Sequence, residues 1–422
     1  MGRQSRKRAS GPEGLHRTLD RNCRGARRRV RLVVRDEISR LVAERSDEIV
    51  ATRRYLHARP ETGFQETETA AYIADRLSKS GLEVHEGLGK TGIVAKLEGG
   101  RPGRTLAVRA DIDALPIEEL TGLEFASTNG NMHACGHDGH ITMALTAAEI
   151  LAANRDRIAG NVSFIFQPSE EIAQGALAMI ADGAMEIANA DVVIGTHLWN
   201  QMPMGYVGVN QSTVFAAADM FKMTVRGHGG HGAMPHLTVD PVVAAANVIN
   251  ACQTVVAREI SPQAMGVVTF GSVQGGSAGN VIADEIEILG TIRAYTPENH
   301  QIISEAVPRI AANVAEGLRC EAKFERLAGT PAVVNNPDVA NWVSGLAMQT
   351  IGEDSVGEYE PISVGDDMAE FMNRVPGTYF ILGASKEGTE GHHNAKFDYD
   401  EACLPIGTEI FVRAALDIGG MP

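Results

Sequence analysis

The chain has 422 residues, 44% hydrophobic and 22% charged, ordinary values for a globular protein that exclude a disordered, collagen-like or disulfide-stapled chain. Its length favours two domains or one elaborated domain. Residues 1–35 hold twelve Lys or Arg against Glu13 and Asp20, which leaves the rest of the chain with a net charge of −25. Because an acidic surface repels phosphate backbones, we expect no nucleic-acid partner.

The basic leader, residues 1–35, has no apolar periodicity. We expect it to be disordered, with a targeting or nucleic-acid-binding arm as the alternative. No apolar run reaches the roughly 18 residues of a membrane-spanning helix, and no secretory signal pattern opens the chain. We therefore expect a cytoplasmic protein without a membrane partner.

Helical and strand-like segments alternate after residue 36. Apolar residues at helical spacing predict a helix over Asp36–Leu56 and another over Glu66–Ser80 that ends at Gly81. A further apolar helix is predicted over Thr142–Ala153. Strand patterns occur at Leu82–His85, Ile93–Leu97, Thr105–Ala110, Asn161–Phe166 and Val192–Gly195. This alternation predicts an α/β fold with a mostly parallel or mixed sheet, which would bind ligands at its strand ends.

Beyond Gly205 the predicted order changes to β-α-β-β-α-β, the order of a ferredoxin-like unit. Its segments are Met220–Arg226, Pro241–Ala257, Met265–Val273, Glu285–Arg293, Ile302–Leu318 and Glu321–Arg326. A strand at Thr378–Leu382 and a helix at Cys403–Ile418 then return to the first pattern. We therefore predict a discontinuous α/β domain over residues 36–205 and 327–422, with an α+β domain over 206–326 inserted into it.

Four thiol or imidazole side chains, the metal ligands of zinc-type sites, fall within eight residues. They are His133, Cys135, His137 and His140. The best candidates are Cys135 and His137, because residues two apart in an extended segment project to the same side. The chain's five cysteines are widely spaced and odd in number, so disulfides are not indicated.

An adjacent pair of carboxylates, Glu170 and Glu171, follows the strand that ends at Phe166. One carboxylate of such a pair can bind metal while its neighbour accepts a proton from a water molecule. The alternative is an exposed acidic pair on a solvated loop.

Further histidines stand at His197, after an apolar strand, and at His392 and His393 near the C-terminus. Five or six ligands on separate strand ends suit two divalent metal ions better than one tetrahedral site. Manganese, zinc, cobalt and nickel all accept thiolate, imidazole and carboxylate ligands, so the residues leave the metal open.

Taken together, these motifs resemble the aminoacylase and carboxypeptidase type of dinuclear metallopeptidase, in its hippurate hydrolase and indoleacetyl-amino-acid hydrolase branch. The resemblance runs from about residue 36 to the C-terminus. The segments that carry it are Arg109–Pro116, Met132–His140, Phe166–Glu171, Gly229–His231 with Pro235–His236, and Gly275–Ile282.

The resemblance implies a role for each site residue. The metal ligands would be Cys135, as the bridge, with His137, Glu171, His197 and His393. Glu170 would be the general base, and Asp113 would orient a ligand from behind. His231 of the inserted domain would reach across a homodimer to polarise the scissile carbonyl. Asn280 and Arg293 would hold the free carboxylate of the substrate.

The sequence also departs from the family pattern. Ser169 stands where Ala is usual, and Ala283 where Pro is usual. The C-terminal motif commonly has Leu and a Pro near the positions of His392 and Ala395. This leaves His392 and His393 as alternative ligands; we favour His393 because Asn394 keeps the register.

The reaction implied is hydrolysis of an N-acyl-L-amino acid, with benzoyl, acetyl or indoleacetyl as candidate acyl groups. Glu170 would deprotonate the attacking water and then protonate the leaving amine. A dipeptidase or a biosynthetic deacetylase is the alternative on the same site. A noncatalytic metal-binding protein is a remoter one, since neither Glu170 nor His231 is needed to hold metal.

Overall fold

The computed structural model describes residues 36–421. Within this range the helices are α1 (Glu37–Ala43), α2 (Ser46–His57), α3 (Thr67–Lys79), α4 (His137–Ala153), α5 (Gly175–Ala181), α6 (Ala184–Ala188), α7 (Pro241–Arg258), α8 (Pro297–Gly317), α9 (Pro337–Ile351), α10 (Met368–Met372) and α11 (Leu404–Leu416). The strands are β1 (Glu83–Leu88), β2 (Gly92–Glu98), β3 (Arg101–Asp111), β4 (Ala159–Gln167), β5 (Val192–Trp199), β6 (Val207–Gly208), β7 (Thr213–Phe215), β8 (Ala217–Arg226), β9 (Gly230–His231), β10 (Gly266–Gly275), β11 (Val281–Ile282), β12 (Glu285–Ala294), β13 (Glu321–Thr330), β14 (Val333–Val334), β15 (Val356–Gly357) and β16 (Gly377–Gly383).

A mixed sheet of eight strands, in the order β1-β2-β4-β3-β5-β16-β6-β15, forms the centre of the described chain. Its four middle strands, β4, β3, β5 and β16, run parallel to one another. The flanking strands β2 and β6 join them antiparallel. The middle strands are buried along most of their length, as parallel strands covered on both faces must be. This confirms the predicted α/β class with a large mixed sheet.

Buried helices cover this sheet. Helix α4 packs against α2 and α11, and α11 packs in turn against α9. Both α4 and α11 are buried almost throughout, which explains why their sequences are apolar on every side rather than on one stripe. Helices α2 and α3 therefore pack on α4, whose first turn carries His137, while α1 packs on α11.

A second sheet of four antiparallel strands, in the order β10-β12-β8-β13, is formed between Ala217 and Thr330. Helices α7 and α8 pack on it through apolar side chains that include Val248, Cys252 and Val307. The order of elements is the predicted β-α-β-β-α-β. The described residues belong to one compact unit, and the division at residues 206 and 326 stays a prediction.

Three long helices share one start signal. Each has proline at its first position, preceded by a residue whose side chain accepts hydrogen bonds from the first turn. The capping residues are Asp240 for α7, Thr296 for α8 and Asn336 for α9.

Two helix predictions are wrong in detail. The helix predicted over Asp36–Leu56 is two helices, because Glu44 and Arg45 form a turn between α1 and α2. Helix α4 begins at His137 rather than at Thr142, since a left-handed glycine, Gly136 at φ +90°, starts it five residues earlier.

The prediction for the basic leader, residues 1–35, lies outside the described residues. Among residues 36–421, no helix combines the length and the apolar character that crossing a lipid bilayer requires.

Candidate metal centre

The candidate site lies where the parallel strands of the large sheet end. Strand β3 ends at Asp111 and β4 ends at Gln167. Strand β5 carries His197 two residues before its end at Trp199. Open α/β sheets bind ligands at this carboxyl edge because several loops meet there. The loops after β3 and β4 supply Asp113 and the Glu170–Glu171 pair.

Cys135 and His137 flank a tight turn rather than lying in an extended segment. Gly136 has a φ of +90°, and His137 is the first residue of α4. The prediction that these residues lie in an extended segment is therefore wrong, because a turn at Gly136 brings them together. Their ligand atoms and that of His197 nevertheless lie within 4.8 Å of one another.

The ring of His137 has a fixed tautomer. Its Nδ1–H donates to the backbone carbonyl of Asp113 at 2.9 Å, which leaves the lone pair on Nε2. That Nε2 and Oε1 of Glu171 are 3.9 Å apart, and both are buried with no hydrogen-bond partner among the described residues. Buried polar atoms are rarely left unpaired, so this pair fits ligands that share a cation.

His197 is held in the matching tautomer. Its Nδ1–H donates to the carbonyl of Leu198 at 2.7 Å, so the lone pair lies on Nε2. Nε2 is 3.5 Å from the Sγ of Cys135. The residue lies inside β5 rather than after it, because the strand continues to Trp199.

The two C-terminal histidines differ in what they contact. His392 donates through Nε2–H to the carbonyl of Leu198 at 3.0 Å and stacks on Trp199 with ring centroids 4.4 Å apart. His393, with a φ of +61°, places its Nε2 3.3 Å from Oε2 of Glu171, in a group that also includes Cys135. The geometry thus favours His393 over His392 as a ligand.

The donor set fits a pair of cations. Two overlapping groups share Cys135, one with His137 and His197 and the other with Glu171 and His393, each within 4.8 Å. Burial raises the pKa of Glu171 to about 8, and burial together with Glu171 raises the pKa of the Cys135 thiol. Bound cations would reverse both shifts by stabilising the carboxylate and the thiolate.

Asp113 contacts two of these ligands. Its Oδ2 accepts a hydrogen bond from the backbone N–H of Glu171 at 3.0 Å, and its Oδ1 is 3.3 Å from Nδ1 of His137. The side chain is fully buried. It touches the segments that carry both ligands, which is the arrangement by which an outer carboxylate orients metal-binding side chains.

We expect Asp113→Asn to weaken metal binding by about 10- to 100-fold, the usual cost of removing an outer-shell partner. An amide can still accept from the N–H of Glu171, but it removes the negative charge 3.3 Å from Nδ1 of His137. Titrating the metal-free protein with cobalt by calorimetry measures the effect. Asp191→Asn is a matched control, because Asp191 also accepts from a backbone N–H, that of Thr105, away from the centre. Equal affinities in the two variants would contradict the role of Asp113.

Glu170 lies beside the donors and beside a second group of carboxylates. Its carboxylate lies within 4.8 Å of ligand atoms of His137 and Glu171, and also of those of Asp366 and Asp367. Burial, followed by the charges of Asp366 and Glu171, raises the pKa of Glu170 well above its ordinary value. A carboxylate in this position is suited to take up and return a proton.

Arg109, Asp366 and Asp367 lie beside the centre, although no role was predicted for them. Arg109 is buried, and its Nη2 lies 3.3 Å from Oδ1 of Asp366 and 3.2 Å from Oδ1 of Asp367. It thereby joins the strand β3 to the loop behind Glu170. The adjacent aspartates were a visible signal, but their partner lies more than 250 positions away in the chain and no local pattern links them.

His140 and Asp111 also form part of the centre without a predicted role. The backbone N–H of Leu198 donates to Nε2 of His140 at 2.9 Å, so Nδ1–H donates to Oδ1 of Asp111 at 2.6 Å. Both nitrogens of His140 are therefore in use. This excludes His140 as a ligand in the observed arrangement, although its ring lies 4.9 Å from that of His197.

In the described part of the chain, the three site residues predicted between residues 206 and 326 make no polar contact with this centre. His231 pairs with Val281 across β9 and β11, and its Nδ1 accepts from the N–H of Ala233 at 3.1 Å. Arg293 donates to the carbonyl of Ile292 at 2.9 Å. Asn280 is exposed. Within residues 36–421, no hydrogen bond or ion pair joins these three side chains to the metal centre.

Comparisons with known proteins agree on one family. The family model described as "Peptidase family M20/M25/M40" matches residues 107–417. The N-acyl-L-amino acid amidohydrolase of Geobacillus stearothermophilus is 40% identical over 72% of this chain and 82% of its own length. Thermostable carboxypeptidase 1 of Saccharolobus solfataricus is 38% identical over 87% of this chain and 94% of its own. The crystal structure of Bacillus subtilis YXEP, described as a dinuclear metal-binding peptidase from the M20 family, superposes with a TM-score of 0.78 at 32% identity, covering 90% of this chain and 100% of that one.

Proposed function

Because this chain belongs to peptidase family M20/M25/M40 and is a metal-dependent hydrolase with a two-metal centre, we propose that it hydrolyses N-acyl-L-amino acids. The products would be a carboxylic acid and a free amino acid. The observation that carries the proposal is the position of Glu170, whose carboxylate lies within 4.8 Å of ligand atoms of His137 and Glu171 although it belongs to neither of the two groups that share Cys135. The name of the Geobacillus relative supports the substrate class.

We assign the metal ligands as Cys135, His137, Glu171, His197 and His393. When bound, two cations would lower the pKa of a water molecule and polarise the amide carbonyl. Glu170 would accept the proton of the attacking water and return it to the leaving amine. Asp113 would hold His137 and Glu171 in place while the charges rearrange.

Arg293 of β12 and Asn280, in the turn before β11, are assigned to the substrate carboxylate. Arg293 is half-buried, and its hydrogen bonds go to the carbonyls of Asp219 and Ile292. No salt bridge within residues 36–421 includes it, so its guanidinium can donate hydrogen bonds to an anionic partner. Asn280 would add a second hydrogen bond. These contacts would select acyl amino acids with a free carboxylate.

His231 is assigned to polarise the scissile carbonyl from a second copy of the chain. Its Nδ1 accepts from Ala233, so Nε2 carries the proton and can donate. Exposed apolar side chains follow His231 in the chain, at Met234 and Leu237 and at Val242 and Val243 of α7, and Val281 pairs with His231 across β9 and β11. Apolar patches of this kind mark interaction surfaces, which supports a homodimer formed through the smaller sheet and its helices.

The test is a panel of hippurate, N-acetyl amino acids, indoleacetyl amino acids and dipeptides, each assayed with added divalent metal. We expect hydrolysis of N-acyl amino acids, and a fall of about 100-fold in kcat/KM when the free carboxylate becomes a carboxamide. That fall corresponds to losing one charge-assisted hydrogen bond of about 2 to 3 kcal/mol. A chelator should abolish turnover, and added metal should restore it.

The panel also decides the second candidate. The Saccharolobus relative is named a carboxypeptidase, which favours a peptide substrate on the same centre. If dipeptides are cleaved with a higher kcat/KM than every N-acyl amino acid, the chain is a dipeptidase or carboxypeptidase. If the carboxamide and the carboxylate react equally, the assignment of Arg293 is wrong.

A further inference from the structure

Arg53 of helix α2 is a fully buried arginine with three carboxylate partners. Its Nε donates to Oδ2 of Asp138 at 3.0 Å, its Nη2 to Oδ1 of Asp398 at 3.0 Å, and its Nη1 to Oε1 of Glu401 at 3.1 Å. The planar guanidinium also packs over the ring of Tyr399 at 4.5 Å. Burying a charge is costly unless it is paired, so all of these contacts are needed together.

The first partner, Asp138, is the residue after His137 in the first turn of α4. Its Oδ2 also accepts from Nδ1–H of His57 at 2.8 Å, and its Oδ1 accepts from Tyr399 Oη–H at 3.2 Å and from the N–H of Gly139 at 2.9 Å. Arg53 and His57 lie one helical turn apart on α2 and reach the same carboxylate. Helix α2 thus fixes the turn from which His137 projects.

The second partner, Asp398, follows the loop that carries His393. The backbone carbonyls of Glu390 and Asp398, at the two ends of that loop, accept from Nδ2–H of Asn200, which follows β5. The N–H of His393 itself donates to the carbonyl of Ala134 at 2.9 Å. The loop is therefore attached to the Cys135 turn, to the end of β5 and, through Arg53, to α2.

We propose that Arg53 is a positioning residue for the metal centre, which clamps the His137 turn and the His393 loop at the spacing that two cations require. The inference rests on the proposed ligand set. The guanidinium touches no ligand and acts through Asp138 and Asp398. Arg53 lies outside residues 107–417, the range of the family match, so the N-terminal helices contribute to the centre although they supply no ligand.

The test titrates the metal-free, full-length protein with cobalt and follows the thiolate-to-cobalt absorption, which needs no turnover. Arg53→Lys keeps the charge, but one ammonium cannot bond Asp138 and Asp398 in the fork geometry of arginine. We expect the cobalt dissociation constant to rise by about 10- to 100-fold. The increase in Tm produced by saturating cobalt should shrink accordingly.

Arg54→Lys is the matched control. Arg54 is the next residue of the same helix, its side chain is 46% exposed, and it bonds Glu401 without reaching Asp138 or Asp398. Its dissociation constant should equal that of the wild type. Asp398→Asn, which keeps the shape of the side chain, provides the same measurement if Arg53→Lys does not fold.

The outcomes separate the proposals. A lower Tm of the metal-free variant with an unchanged cobalt dissociation constant would show that the network serves folding alone, and this would overturn the inference. A dissociation constant for Asp398→Asn within twofold of the wild type would overturn it as well. A wild-type protein that shows no thiolate-to-cobalt band would instead refute the proposed ligand set.

Discussion

Replacement of Glu170 by glutamine is expected to lower kcat by about 10³-fold, the middle of the range that general acid–base catalysis contributes. The amide has nearly the same shape but cannot accept the proton of the attacking water. Metal content should not change, because we place Glu170 outside the ligand set. Steady-state kinetics on the best substrate of the panel, with metal content measured by mass spectrometry, tests both parts.

Glu171→Gln is the matched comparison for Glu170→Gln, since it changes the adjacent carboxylate in the same way. We expect this variant to lose metal as well as activity, because Oε1 of Glu171 faces Nε2 of His137 and Oε2 faces Nε2 of His393. Near wild-type turnover in a metal-loaded Glu170→Gln protein would remove the proposed mechanism. Metal loss in that variant would move Glu170 into the ligand set.

Cys135→Ser is expected to weaken metal binding by roughly 100-fold or more, since loss of a ligand should cost at least as much as loss of an outer-shell partner. Metal at 100 times Kd stabilises the folded state by about 2.7 kcal/mol, so the variant should also lose most of its metal-induced rise in Tm. Burial raises the pKa of this thiol. Protons therefore compete with metal, and affinity in the wild type should fall as the pH is lowered.

Cys252→Ser separates this effect from the general cost of changing a buried cysteine. Cys252 is fully buried in the core beneath the four-stranded sheet, with its Sγ 3.7 Å from the carbonyl of Val307. Its substitution should lower Tm to the same extent with and without metal. If the two serine variants lose metal-induced stabilisation equally, Cys135 is not a ligand.

Periodic patterns predicted the elements of the fold well, and they failed where one residue or one distant contact decides the structure. The β-α-β-β-α-β order of the smaller sheet was predictable because apolar and polar residues alternate along its strands and its helices carry one apolar face. The break between α1 and α2 at Glu44 and Arg45 was not predictable, since both residues are compatible with a continuing helix. The start of α4 at His137 was not predictable either, because a glycine in the sequence does not by itself mark a helix N-terminus.

The ligand types were predictable from local clustering, and the reasons for their convergence were not. Thiol, imidazole and paired carboxylates stand out in a sequence because a core has little use for them. The tautomers of His137 and His197 depend on backbone carbonyls that only the fold brings near. Arg53 and Asp398, which form an ion pair, are 345 positions apart in the chain, and no local sequence pattern predicts their contact.

The peptide groups on either side of the Leu198 side chain fix three imidazole rings at once. The N–H of this residue donates to His140, and its carbonyl accepts from both His197 and His392. The orientation of those three rings thus depends on a backbone N–H and a backbone carbonyl, and every amino acid except proline supplies both. The side chain of Leu198 has a separate task, since it is fully buried against Gly136 and Gly139 at the start of α4. One residue therefore sets the proton arrangement of three rings through its main chain and packs the Cys135–His137 turn through its side chain.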